Sequence, residues 1–335
     1  MRRQRIGRPA LIKPSSSLDL ARRDGHFRPM SQRRDTTDWV LFGALSILWA
    51  SAYAMTRGAV ETLPVGVIIP ARLIIGAIVL NIAVLVSGGR YPPLADLKRW
   101  GIIVLMGFVG MTGPFSLITT AQQTVDSSLA ALYVAATPIF VVIGANAFFA
   151  DERLTLPAAL GIGTGFLGVG VLFAPDIIEN YGSATAIAQG LLLLATMCYA
   201  SSTLIARGAP TMQPLVFAAG FVTAAAVLSL PMLIGVNWPD VEPSTGSVLS
   251  VIGLGIGPSA LASLLYMALV QRAGATFLSL TGYAIPILSA IIGWIVFQEQ
   301  QSWNTALAFG LILGGVWLAQ RPARSVAPKG ETAPQ

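Results

Sequence analysis

Arg72 is the one formally charged residue deep inside an apolar run of this chain. It lies eight residues from Pro64, about 12 Å along a helix. A guanidinium so placed costs at least ~2.5 kcal/mol on membrane-insertion scales, so it must face a cavity or a partner. Two readings stand. It anchors a carboxylate or phosphate of a substrate, or it snorkels and caps a helix. A second set is made of aromatics and amides. Trp49 and Tyr53 sit four residues apart on one helix face, followed by Gln122, Gln123, Tyr133, Tyr199, Ser202, Tyr266 and Tyr283. Aromatics near the end of an apolar run belong to an interfacial belt. Tyr199, Tyr266 and Tyr283 lie farther in, where a hydroxyl needs a partner or a wet cavity. The five residues Trp49, Tyr53, Tyr199, Tyr266 and Tyr283 suit an apolar or aromatic ligand part, with Gln122, Gln123 and Ser202 as hydrogen-bonding groups.

Other chemistries lack their residues. No Asp, Glu or His falls near the middle of any apolar run, so a buried carboxylate relay for protons is not expected. There is no GxxxxGK[ST] loop for nucleotide phosphates. Ser259 stands in GPSA, superficially the turn of an intramembrane serine protease, but the single histidine, His26, lies in the basic leader, and a serine nucleophile needs a base beside it. One cysteine, Cys198, excludes an internal disulfide and a CxxC metal site. The chain is therefore expected not to be an enzyme and to use no cofactor and no metal.

The elements that must carry these residues follow from composition. Apolar residues make up 54% of the chain and charged residues 11%, with mean hydropathy +0.71. A soluble domain has about 25% charged residues; this chain cannot cover a water-facing surface, and the bilayer is its solvent. The net charge of +6 belongs to residues 1–38, and the remainder balances to zero. That leader reads as a disordered basic cytoplasmic tail, able to meet anionic lipid, with no nucleic-acid partner expected. Met30 offers an alternative start, and no cleavable leader precedes the first apolar run. Ten runs are long enough to span: 39–56, 64–86, 100–120, 128–150, 155–173, 186–206, 214–236, 248–270, 276–297 and 302–318. They lack the alternation of barrel strands, so all ten are expected to be helices.

Internal similarity organises the ten. WASAYAMTRGA, Trp49 to Ala59, returns as YASSTLIARGA, Tyr199 to Ala209, with Arg57 on Arg207 and Pro64 on Pro214. TPIF around Pro138 precedes Asp151 as IPIL around Pro286 precedes Glu299, thirteen residues in each case. Gly113-Pro114 matches Gly257-Pro258, and Gly161 and Gly165 match Gly310 and Gly314. With the N-terminus placed inside, Arg90, Lys98, Arg99, Arg153, Arg207 and Arg272 fall on the inner side with the C-terminal tail 321–335, and only Arg57 falls outside. Five spans per copy is odd, so the second copy enters the membrane upside down, the pattern of many secondary transporters. The expected fold is an all-α polytopic membrane protein of two inverted five-helix repeats, 39–175 and 186–320, with both termini cytoplasmic. Pro138 and Pro286 each free a carbonyl in mid-membrane, which kinks a helix or, at matched positions, marks a gating break near the substrate. Gly161, Gly165 and Gly168 form a small-residue face for a neighbouring helix, or for a second copy of the chain.

WAS in the first run, PARLIIGAI in the second, AATPIF followed by ADERLT, and AIPILSAIIGWIVFQE together resemble the EamA-type branch of the drug/metabolite transporter superfamily, over about residues 39–320. The resemblance implies an inverted repeat around a central cavity lined by spans one, three, four, six, eight and nine. It implies export of amino acids, related metabolites or drugs across a bacterial inner membrane. Arg72 corresponds to an arginine typical of the second span. Asp151, with Glu152 adjacent, and Glu299 correspond to the acid ending spans four and nine, where the first position departs from the usual Glu. The first-span charge of small multidrug relatives is absent, which weighs against cation/proton antiport. The expected function is a secondary exporter of small metabolites, amino acids foremost; the alternatives are a multidrug exporter and a non-transporting sensor or assembly partner.

Overall fold

A computed structural model describes residues 35–148, 156–179, 184–273, 278, 281–300 and 302–319. Most of the basic leader, the C-terminal tail, Asp151 and Glu152 lie outside the described residues. The described residues form helices: α1 (Thr36–Ala59), α2 (Val65–Val86), α3 (Leu97–Ala121), α4 (Ser127–Phe148), α5 (Leu156–Glu179), α6 (Ala184–Arg207), α7 (Pro214–Gly235), α8 (Thr245–Leu254, Gly255–Leu261 and Ala262–Ala273 in continuation), α9 (Thr281–Phe297) and α10 (Trp303–Ala319). Among them α1 to α4 and α6 to α8 contain seven stretches long and apolar enough to cross a membrane, while α5, α9 and α10 contribute shorter apolar helices.

Local chemistry sets where these helices begin, end and bend. Asp96 caps α3 by accepting from the Arg99 amide at 3.1 Å, and Ser244 caps α8 from the Ser247 amide at 3.1 Å. Ser87 and Gly88 close α2, with Gly88 at φ +69°, the left-handed conformation glycine takes at no steric cost. The two Gly-Pro pairs reshape the helices that carry them. Both α3 and α8 widen into π-helical turns there, Phe108–Thr112 and Gly255–Leu261. A proline lacks the amide its helix would use, and the wider turn absorbs the missing bond. The expectation for Pro138 and Pro286 divides. Helix α4 is interrupted at Ala136, and the Thr137 hydroxyl donates to the Val134 carbonyl that Pro138 leaves free, at 2.6 Å. Helix α9 runs through Pro286 without interruption.

The principal helix pairings come in matched sets. Helix α2 packs on α7, and α5 packs on α10. The α1–α8 and α1–α9 pairings have counterparts in α6–α3 and α6–α4, and α2–α8 in α7–α3. Glycines make the tightest of these possible. A Cβ on Gly315 would stand 2.6 Å from the Gly161 carbonyl oxygen and 2.6 Å from the Gly165 nitrogen, so α5 and α10 touch backbone to backbone. The small-residue face of α5 is thus covered by α10, but through Gly315; Gly310 and Gly314 face open space. The outside of the bundle is apolar, with Ile78, Ile82, Leu85, Leu167 and Trp294 all exposed, as a lipid-facing surface requires.

Candidate functional site

Arg72 is 4% exposed and sits where three helices meet. Helix α8 is drawn against α2 by two glycines. A Cβ on Gly76 would lie 3.0 Å from Ser259 Cβ, and one on Gly255 would lie 3.1 Å from the Arg72 carbonyl oxygen. That approach brings the Ser259 hydroxyl to accept from Arg72 Nη2 at 3.4 Å. Phe115, one residue past the Gly-Pro pair of α3, places its ring 3.9 Å from the guanidinium carbon. Both neighbours of the guanidinium therefore stand in or beside the π-helical turns. Arg72 Nε is enclosed without a hydrogen-bond partner, and no carboxylate among the described residues pairs with this cation.

Tyr53 on α1 and Tyr199 on α6 are the groups that Arg72 feels electrostatically. Both are partly buried. Gln122 ties α3 to α1. It is fully buried, its Nε2 donates to the Tyr53 carbonyl at 2.8 Å, and its own carbonyl accepts from Arg57 Nη1 at 3.0 Å. Its Oε1 is buried with no partner. Trp49 packs its ring against Tyr266 of α8, centroids 5.9 Å apart.

The remaining sequence candidates sit elsewhere. Gln123 is exposed. Tyr133 is fully enclosed in the core formed by α4, α6 and α10, where its hydroxyl donates to Gln189 Oε1 at 3.0 Å. The Ser202 hydroxyl is used on its own helix, donating to the Tyr199 carbonyl at 2.8 Å. Tyr283 lines a cleft of about 550 Å³ on the side of the bundle with Ala284, Ile287, Leu313 and Trp317. With Tyr53 and Tyr199 within electrostatic reach, the structure sets Phe115 and Ser259 directly against Arg72. The Gly-Pro pairs were the signal that could have found those two. The Ser259 hydroxyl, set in the GPSA turn, serves the guanidinium.

A second polar cluster ties helix ends. The Glu299 carboxylate, 7% exposed, accepts from Ser127 N at 2.9 Å, Ser127 Oγ at 2.8 Å and Ser128 N at 3.2 Å. It therefore caps the start of α4 from the end of α9, complementing the positive end of that helix. Gln298, at φ +55°, turns the chain so that this is possible. Nearby Asp126 has its carboxyl pushed above the usual value by desolvation and by Glu299, with Arg57 opposing. At the opposite end of α1, Asp38 accepts from Arg272 Nε at 3.0 Å.

Comparison with known proteins agrees with this architecture. The pattern of the EamA-like transporter family matches residues 38–174 and again residues 186–320. The uncharacterized inner membrane transporter YedA of Escherichia coli is 27% identical, over 83% of this chain and 90% of its own. The aromatic amino acid exporter YddG of Ancylobacter novellus is 27% identical, over 85% of this chain and 97% of its own. A solved crystal structure superposes with a TM-score of 0.61 at 23% identity, covering 86% of this chain and 99% of that one, which speaks to the fold. Matched twice and over most of its length, this membrane protein belongs to the EamA-like transporter family.

Proposed function

We propose that the protein is a secondary transporter that exports small metabolites, amino acids or related compounds, across the inner membrane by alternating access. The observation that carries this is a buried guanidinium, flanked by Phe115 and Ser259, with no carboxylate partner among the described residues. A cation of that kind is costly to keep unless something enters to meet it. The matched helix pairings support two five-helix units, 39–175 and 186–320, related by inversion, with ten crossings in all. The similarity to an exporter of aromatic amino acids supports the substrate class. The loop charges support cytoplasmic termini. Tyr53, Arg72 and Tyr199 form the centre of the binding site, Trp49 and Tyr266 extend it, and Gln122 closes it. Alternating access rocks the two units about this site.

Purified protein in proteoliposomes, loaded with a panel of unlabelled amino acids and given a labelled one outside, tests the reading. Counterflow of at least one aromatic or branched amino acid is the expected result. No exchange of any panel member, by protein that is folded and correctly inserted, would refute it.

A further inference from the structure

We infer that Arg72 is a subsite for a single carboxylate, with Phe115 and Ser259 as the residues that aim it, so that the transported molecule carries a monoanionic carboxylate and not a phosphate monoester. The inference rests on the proposed transport function and adds to it the charge of the group that is recognised. The guanidinium has three nitrogens, and their fates differ. Nη2 is turned to Ser259, Nε is enclosed, and Nη1 has no partner among the described residues yet is not enclosed. Nη1 is therefore the edge left for a ligand. Phe115 lies against the guanidinium at 3.9 Å, so the ring holds one face by cation–π attraction and fixes the plane in which a ligand oxygen must approach.

Charge counting then selects the ligand. Arg72 is the only formal charge deep in any apolar run. One carboxylate neutralises it. A phosphate monoester, carrying about −1.5 to −2 at neutral pH, leaves excess negative charge in a medium where an unpaired charge is expensive. No second Lys, Arg or His stands deep in an apolar run to absorb that excess. An accompanying ammonium meets no carboxylate deep in an apolar run either; aromatic rings of the kind Tyr53 and Tyr199 carry are the groups able to attract it.

Matched probes test this on the purified full-length protein in detergent, read by tryptophan fluorescence and thermal shift. The probes are 3-phenylpropionate against 3-phenylpropanamide, L-phenylalanine against L-phenylalaninamide, and phenyl phosphate. Wild type should prefer each carboxylate to its amide by about tenfold or more, and should bind phenyl phosphate no better than the amides. Arg72→Gln should erase the preference. Arg72→Lys keeps the charge but loses the planar fork and should retain a fraction of it. Phe115→Leu and Ser259→Ala should weaken carboxylate binding about three- to tenfold while leaving amide binding unchanged, a split that mere loss of packing does not produce. Equal binding of acid and amide by wild type, tight binding of phenyl phosphate, or undiminished preference in Arg72→Gln would each overturn the inference. If Arg72→Gln does not fold, undiminished preference in both Arg72→Lys and Phe115→Leu does so. Arg72-dependent carboxylate binding with no flux of any probe would keep the subsite and remove the exporter reading. Flux without carboxylate preference would do the reverse.

Discussion

Replacing Glu299 should loosen the contact between the end of α9 and the start of α4 by an amount the geometry fixes. The carboxylate accepts three hydrogen bonds, two from backbone amides of the first turn of α4 and one from the Ser127 hydroxyl. Bonds to a charged acceptor contribute about 1.5–3 kcal/mol each before non-additivity, and a lost N-cap costs about 1 kcal/mol. Glu299→Ala removes all three and leaves buried donors unmatched, so a loss of about 4 kcal/mol is expected. Glu299→Gln keeps the shape but offers one acceptor oxygen and turns an NH₂ group toward donors, for a loss of about 2 kcal/mol by the same accounting. Gly293 supplies an independent route to the same contact. A Cβ there would overlap the Glu299 carboxyl, so Gly293→Ala displaces the cap without altering its chemistry. Stability is read by reversible unfolding in mixed micelles, as a double-mutant cycle. Gly293→Ala should cost about 2 kcal/mol alone and little more on top of Glu299→Ala, because contacting residues are not additive. Full additivity, or a Glu299→Gln protein within about 0.5 kcal/mol of wild type, would show that the carboxylate does not hold these helices together.

Two further expectations rest on packing and on charge. Gly315→Ala places a methyl within 2.6 Å of the α5 backbone and should destabilise the α5–α10 pair by about 1–3 kcal/mol, whereas Gly314→Ala, facing open space, should be nearly neutral in the same unfolding assay. Asp126 has a carboxyl value raised above 3.8, so the folded protein holds this proton to higher pH than the unfolded chain does. Its contribution to stability therefore falls as pH rises through 3.8 toward the raised value. Asp126→Asn should remove that part of the pH dependence in a thermal-shift series; an unchanged profile would refute the assignment.

Helices were legible in this sequence because apolar length in a chain so poor in charge leaves few alternatives, and Arg72 stood out because a charge inside an apolar run is rare. Trp49 and Tyr199 were legible as counterparts through the repeat, and Tyr53 as the residue one helical turn from Trp49. What the chain concealed was direction. Tyr133 and Tyr199 are both tyrosines deep in helices, but one points into the α4–α6–α10 core and finds Gln189, while the other keeps accessible surface. Hydrophobic periodicity separates lipid-facing from buried positions in water-soluble helices, where one face is polar. Here the lipid face and the core are both apolar, so the period carries little information. Phe115 and Ser259 were hidden for another reason. Their positions depend on two π-helical turns, which shift the register of every side chain after the Gly-Pro pair. Glu299 was visible as an acid ending a helix, but its partner on α4 lies 172 residues away.

The polar ties of α1 and α9 bear on how such a bundle would open. At the C-terminal end of α1, Arg57 reaches the Gln122 carbonyl, the Gly58 carbonyl accepts from Ser247, and Glu299 caps α4 close by. At its N-terminal end, Asp38 holds Arg272. The first set joins α1, α3, α4, α8 and α9 at one end of α1, and the second joins α1 and α8 at its other end. Rocking two rigid units about a central site cannot stretch both sets at once, so opening one end loosens one set and leaves the other in place. Weakening a tie by about 1.4 kcal/mol changes the balance of open states tenfold, provided the tie is intact in one state and broken in the other. Glu299→Gln and Asp38→Asn should therefore shift access in opposite directions. The readout is a single cysteine at position 53, in a Cys198→Ser background, labelled by an impermeant maleimide in right-side-out and inside-out vesicles. Labelling that rises on opposite sides for the two substitutions supports two alternating gates. A shift toward the same side in both would mean that these contacts only hold the fold together, and that the gates lie elsewhere.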